Sequence, residues 1–68
     1  MNATAISDMI SRPKFKPIIL HLNDGTKIPV KHPDFLMFTE GKSTIIVTEG
    51  EHIHIIDVAS ITSVKAAR

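Results

Sequence analysis

Histidine supplies most of the chemistry this chain offers, with four histidines and no cysteine among 68 residues. His52-x-His54 sets two imidazoles on one face of an extended segment, about 6.5–7 Å apart at Cα by the strand rise. Such a pair binds a metal only if a third ligand arrives from elsewhere, for which His21 and Glu51 are the candidates. No second ligand pair stands at a recognised spacing, so the expectation is two solvent-facing histidines and no metal site. His32-Pro33-Asp34 places an imidazole beside a carboxylate at a corner. A base with its orienting acid still needs a nucleophile, and Ser43 and Ser60 sit in ordinary strand and turn contexts. The reading is structural: Asp34 caps the corner, His32 ends a strand, and no residue is assigned to catalysis. Gly41-Lys42-Ser43 looks like the end of a phosphate loop. It lacks the upstream glycine, and β-branched residues follow where a helix should begin.

The charged residues exclude more than they propose. Eight basic and seven acidic side chains leave a formal charge of +1, too balanced for an extended nucleic-acid footprint. Arg12, Lys14 and Lys16 do gather near the N-terminus, with Lys65 and Arg68 at the other end, and either group can form a local basic patch. The three phenylalanines are not interleaved with those basic residues, as a stacking platform for single strands requires. No apolar run approaches the ~18 residues that span a membrane. No basic region followed by a long apolar run marks a signal peptide, so cytoplasmic residence is expected. No cofactor is implied.

The elements that carry these residues are mostly short strands. Asn2 to Ser11 reads as a helix with Ile6, Met9 and Ile10 on one face, Thr4 as its N-cap and Pro13 as its stop. Phe15 to Leu22 reads as a strand, with Ile18, Leu20 and Leu22 alternating onto one side. Asn23-Asp24-Gly25 is a hairpin turn whose residues tolerate positive φ, above all Gly25. Thr26 to Lys31 returns with Ile28 and Val30 inward, and Pro29 marks an edge or a bend. His32-Pro33-Asp34-Phe35 is a hard corner, because proline has no N–H to continue a ladder. Phe35–Thr39, Ser43–Thr48, Glu51–Val58 and Ile61–Lys65 follow as strands, with turns at Glu40-Gly41-Lys42 and Glu49-Gly50. The expected core is Ile18, Leu20, Leu22, Ile28, Val30, Phe35, Ile45, Val47, Ile53, Ile55 and Ile61. Ile46 and Ile56 fall on the opposite faces and need cover. The whole describes one domain over 1–68, mainly β: an N-terminal helix in 1–12 and a small, strongly bent antiparallel barrel of five or six strands in 15–65.

At these turns and corners the chain resembles a group of uncharacterised short bacterial proteins sharing an FxPF…DG…HPDF pattern. The likeness is carried by Phe15-Lys16-Pro17, Leu22-Asn23-Asp24-Gly25 and Val30-Lys31-His32-Pro33-Asp34-Phe35, with Ile18 where that group has a second phenylalanine. The group implies no activity. More distantly the order of elements resembles the Sm-like proteins, which have an SH3-like barrel behind an N-terminal helix, with Leu20–Lys27 and Asp34-Phe35 at their first signature. That resemblance implies the barrel and, as an alternative function, RNA binding. The residues of the Sm-like uridine pocket are not matched: no asparagine follows Phe35, and Ile56-Asp57-Val58 stands in place of an arginine-glycine element.

A chain of this size buries only about 60% of its unfolded surface, and without disulfides it gains most from association. The expected function is therefore a non-enzymatic interaction module that binds a protein partner and assembles with itself. A dimer is favoured, with Ile46 and Ile56 at the contact.

Overall fold

The first hairpin starts the architecture, and its turn explains its register. In the structure, a computed structural model that describes residues 2–67, β1 (Ile18–Leu22) and β2 (Lys27–Val30) pair antiparallel. The Gly25 N–H donates to the Leu22 carbonyl at 3.0 Å and the Leu22 N–H to that of Thr26 at 2.9 Å. Of the turn residues only Gly25 takes a positive φ, +91°, the arrangement of a three-residue loop ending in a left-handed residue. The pairs Ile18–Val30 and Leu20–Ile28 stand directly opposite. Opposed residues share a face, so all four side chains enter the core together. Pro29 is tolerated because β2 is the terminal strand of its sheet.

The third strand of this sheet is the last in the chain. β6 (Ile61–Ala66) pairs with β1 in the order β2-β1-β6. Ile61 and Val64 are three apart and would face opposite ways on a regular strand. A register shift opposite His21 and Leu22 leaves Thr62 unmatched, so Leu22 meets Ile61 and Leu20 meets Val64. This bulge returns both apolar residues to the inner face.

A corner leads into the second sheet. His32 caps a 3-10 turn, Pro33–Phe35, and its Nδ1 accepts from the Asp34 N–H at 3.1 Å. The cap is thus His32 and not Asp34 as the sequence suggests; a side-chain acceptor must precede the turn whose N–H it takes. The turn also shifts the alternation. Phe35, expected in the core, is 43% exposed, and Leu36 takes the buried place at the start of β3 (Leu36–Phe38). β4 (Thr44–Glu49) and β5 (His52–Asp57) complete the order β3-β4-β5.

The β4–β5 connection corrects the expected core further. Gly50-Glu51 is a two-residue turn with Gly50 at φ +60°, and it pairs Glu49 with His52. The register then sets Ile45 opposite Ile56 and Ile46 opposite Ile55. Ile45 and Val47 face inward, so Ile56 is buried, whereas Ile53 and Ile55 are 69% and 74% exposed. The expected placement of these three β5 residues is inverted. Val58, buried in a second 3-10 turn (Val58–Ser60), joins the core.

The helix α1 (Ala3–Ile10) closes the structure, with Ile6 fully buried and Met9 and Ile10 at the core's margin. Its N-cap is Asn2 instead of Thr4. The Asn2 Oδ1 accepts from the Ala5 N–H at 2.8 Å, which places Thr4 already inside the first turn. The two three-stranded antiparallel sheets and the helix confirm a mainly β chain. No ladder joins one sheet to the other among the described residues, and no closed barrel is formed. No helix among them is long and apolar enough to cross a membrane.

Two substitutions check this account by urea unfolding. Leu20→Ala, at a fully buried position, is expected to cost ~2–5 kcal/mol. Gly25→Val is expected to cost more than about 1 kcal/mol. Nothing lies within 4 Å of a Cβ built at Gly25, so that cost is one of backbone conformation alone.

Candidate functional site

The buried interior is apolar. Its eleven buried side chains are all apolar, and no buried polar or charged residue is found among the described residues. The candidate groups therefore lie on surfaces.

His52 and His54 share the inner face of β5 as their spacing requires, at the end of the strand where the core gives out. His52 is exposed and His54 half-buried. The His54 Nε2 lies 3.1 Å from the Glu49 Oε1, a diagonal neighbour across the hairpin. The carboxylate that meets an imidazole is thus Glu49, and not Glu51. His21 stands on β1 in the other sheet, opposite Lys27 and Ser63. Among the described residues no three His, Asp or Glu come close enough to hold one ion.

The residues of the turn and corner form two small capping networks. At the corner, the His32 Nδ1 lies 3.6 Å from the Asp34 carboxylate, both side chains well exposed, and the Phe35 ring sits 5.6 Å from that of His32. Pro33 supplies the first residue of the 3-10 turn. At the hairpin, the Asp24 Oδ1 accepts from the Thr26 N–H at 2.9 Å. Hydrogen bonding from the Thr26 side chain, and after it from the Thr26 N–H, holds the Asp24 carboxyl below its ordinary 3.8. These contacts shape the backbone.

Two surface features remain. The first is the outer face of β3-β4-β5. Met37 stands opposite Ile46, and Ile46 opposite Ile55, so three apolar side chains form one row across the sheet. Ile53 adds a fourth on the same face, two residues along β5 from Ile55. Met37 is 60% exposed and Ile46 half-buried. Ile46 therefore lies on the face expected of it. Ile56, expected beside it, is in the core, and its place is taken by Ile55. The missed signal was local: counting back from the two-residue turn at Gly50-Glu51 puts Ile53 and Ile55 outside.

The second feature is an open groove of about 270 Å³ at the C-terminal end of α1. Arg12, Lys14 and Lys16 line it together with Met9, Pro17, Ile18 and Ala66. The sequence cluster of cations is thus one site in space. Lys65 is not among the lining residues, and Arg68 lies outside the described residues.

Comparison of the chain with protein-family models, with curated proteins and with solved structures finds no match in any of the three.

Asp24 has a pH signature. A depressed carboxyl adds stability that is complete above its unfolded value of 3.8 and is lost as pH falls through the lower folded value. Unfolding midpoints in urea are expected to fall as pH drops below 3.8, and Asp24→Asn to flatten that slope by lowering the neutral-pH midpoint slightly towards its acid value. The contribution is modest, because the group is fully exposed to solvent screening.

Proposed function

We propose that the protein is a non-enzymatic interaction module whose first partner is a second copy of itself, bound through the outer face of β3-β4-β5. The observation that carries this reading is the row Met37–Ile46–Ile55 with Ile53 beside it. Single exposed apolar residues are ordinary on a protein surface, but a contiguous apolar patch marks an interaction site.

The row is also self-complementary. Ile46 stands at its centre on the middle strand. A two-fold axis lying along β4 in the contact sets Met37 of each copy over Ile55 of the other, at the ~10 Å spacing of packed sheets. Two-fold contacts use one patch twice and close on themselves. Cytoplasmic residence accords with this reading.

The chain order supports the finer description of the fold as an SH3-like half-barrel. β6, β1 and β2 form one run of neighbours and β3, β4 and β5 another, with the corner at His32–Phe35 carrying the chain from β2 into β3. That order also motivates the second reading, Sm-like RNA binding, while the residues of the FxPF…DG…HPDF pattern motivate kinship with the short bacterial group. The apolar row favours the protein–protein reading over it, because an RNA surface is charged and wet.

The test is mass in solution across a dilution series. A dimer is expected at about 10 µM, dissociating on dilution, with thermal stability falling as it does so. Ile55→Lys, at an exposed position that leaves the core intact, is expected to give a folded monomer. A monomeric wild type at that concentration, or a dimer that persists in Ile55→Lys, overturns the reading. Ile56→Lys would not serve, because it places a charge in the core.

A further inference from the structure

The groove at the end of α1 has three properties that together select an occupant. Its rim is cationic and uncompensated. Arg12, Lys14 and Lys16 are all exposed, and neither ion pair found among the described residues involves them. Its lining also holds apolar residues, Met9 from the helix, Pro17 just before β1 and Ala66 at the end of β6. It also lies at the end of the β1–β6 pair. Ala66 pairs with Ile18 at the end of β6, the Ala67 N–H donates to the Pro17 carbonyl at 3.0 Å, and β6 is the terminal strand of its sheet.

We propose that this groove takes an extended acidic segment of a partner protein, its carboxylates on Arg12, Lys14 and Lys16 and an apolar side chain between them against Met9, Pro17 and Ala66. Charge complementarity calls for an anion, and three unpaired cations around one opening steer it there. The apolar residues among the cations call for a ligand with an apolar element between its charges, which a bare inorganic anion lacks. Three cations spread over residues 12 to 16 suit charges spaced along an extended chain, which a peptide provides and a small amphiphile does not. A single-stranded nucleic acid would meet the cations, but no aromatic side chain lines the groove to stack its bases. The site is separate from the proposed self-association face, which lies on the other sheet.

The probe is a short fluorescein-labelled peptide alternating glutamate with valine, titrated with the full chain and followed by anisotropy. Saturable binding that weakens as salt is raised is expected. Lys16→Glu should lower the affinity about tenfold or more, whereas Lys16→Arg retains it. Lys42→Glu, on the β3–β4 turn, should leave it unchanged. Ile55→Lys should also bind as wild type, so failure of the self-association reading and failure of this one are read separately. The proposal is overturned if the peptide does not bind, or if Lys16→Glu binds as wild type. It is equally overturned if oligouridylate displaces the peptide at equal or lower concentration, which would assign the groove to nucleic acid.

Discussion

The constraint on which the structure most depends is the two-residue turn at Gly50-Glu51. Strand side chains alternate with a period of two, so moving the register by one residue would turn every side chain of β5 to the other face. The turn closes with Glu49 opposite His52. Glu49 lies on the same face as Ile45 and Val47, which are fully buried. That relation alone commits Ile56 to the core and turns Ile53 and Ile55 outward. Nothing in hydrophobicity would choose this arrangement, because it buries one β5 isoleucine and exposes two. Local turn geometry overrides burial here, and the apolar outer face is its direct result.

The second hairpin thus differs from the first. Between β1 and β2 the turn and the alternation agree: Gly25 takes the left-handed place and Ile18, Leu20, Ile28 and Val30 all point inward. Such agreement between local and global preferences is what makes a hairpin easy to read. Three irregularities then reconcile the remaining apolar residues with the core. The corner at Pro33–Phe35 replaces Phe35 with Leu36, the bulge at Thr62 recovers Val64, and the turn after β5 brings in Val58. Two backbone hydrogen bonds tie that last turn region to other loops, from the Val58 N–H to the Ser43 carbonyl and from the Asn23 N–H to the Ser60 carbonyl.

Legibility in the sequence followed the same division. The helix, the six strand regions and the glycine-bearing turns at Gly25 and Gly50 can be read from residue types, because each rests on a local property of a few side chains. Face assignment failed where it depended on an irregularity a periodic pattern does not reveal. Phe35 looked like core because it continued an extended run, and the 3-10 turn that interrupts the run is set by the His32 ring nitrogen capping Asp34. Ile53 and Ile55 looked like core because two isoleucines outweigh one. At the surface, the clustering of Arg12, Lys14 and Lys16 was visible as composition. The apolar residues beside it were not, since Ala66 reaches the groove only through the pairing of the last strand with the first.

Pro29 bears on how the molecule meets its own kind. The Leu22–Thr26 contact makes alternate pairs along the hairpin hydrogen-bonded, so Ile19–Pro29 falls at a position where the backbone groups of β2 point away from β1. At that point the free margin of β2 has a ring where a donor would be. Open-ended stacking of copies needs a repeating ladder at both ends of the unit. A chain with such a gap at one margin is poorly suited to fibril growth through that side, and is left to finite assemblies there.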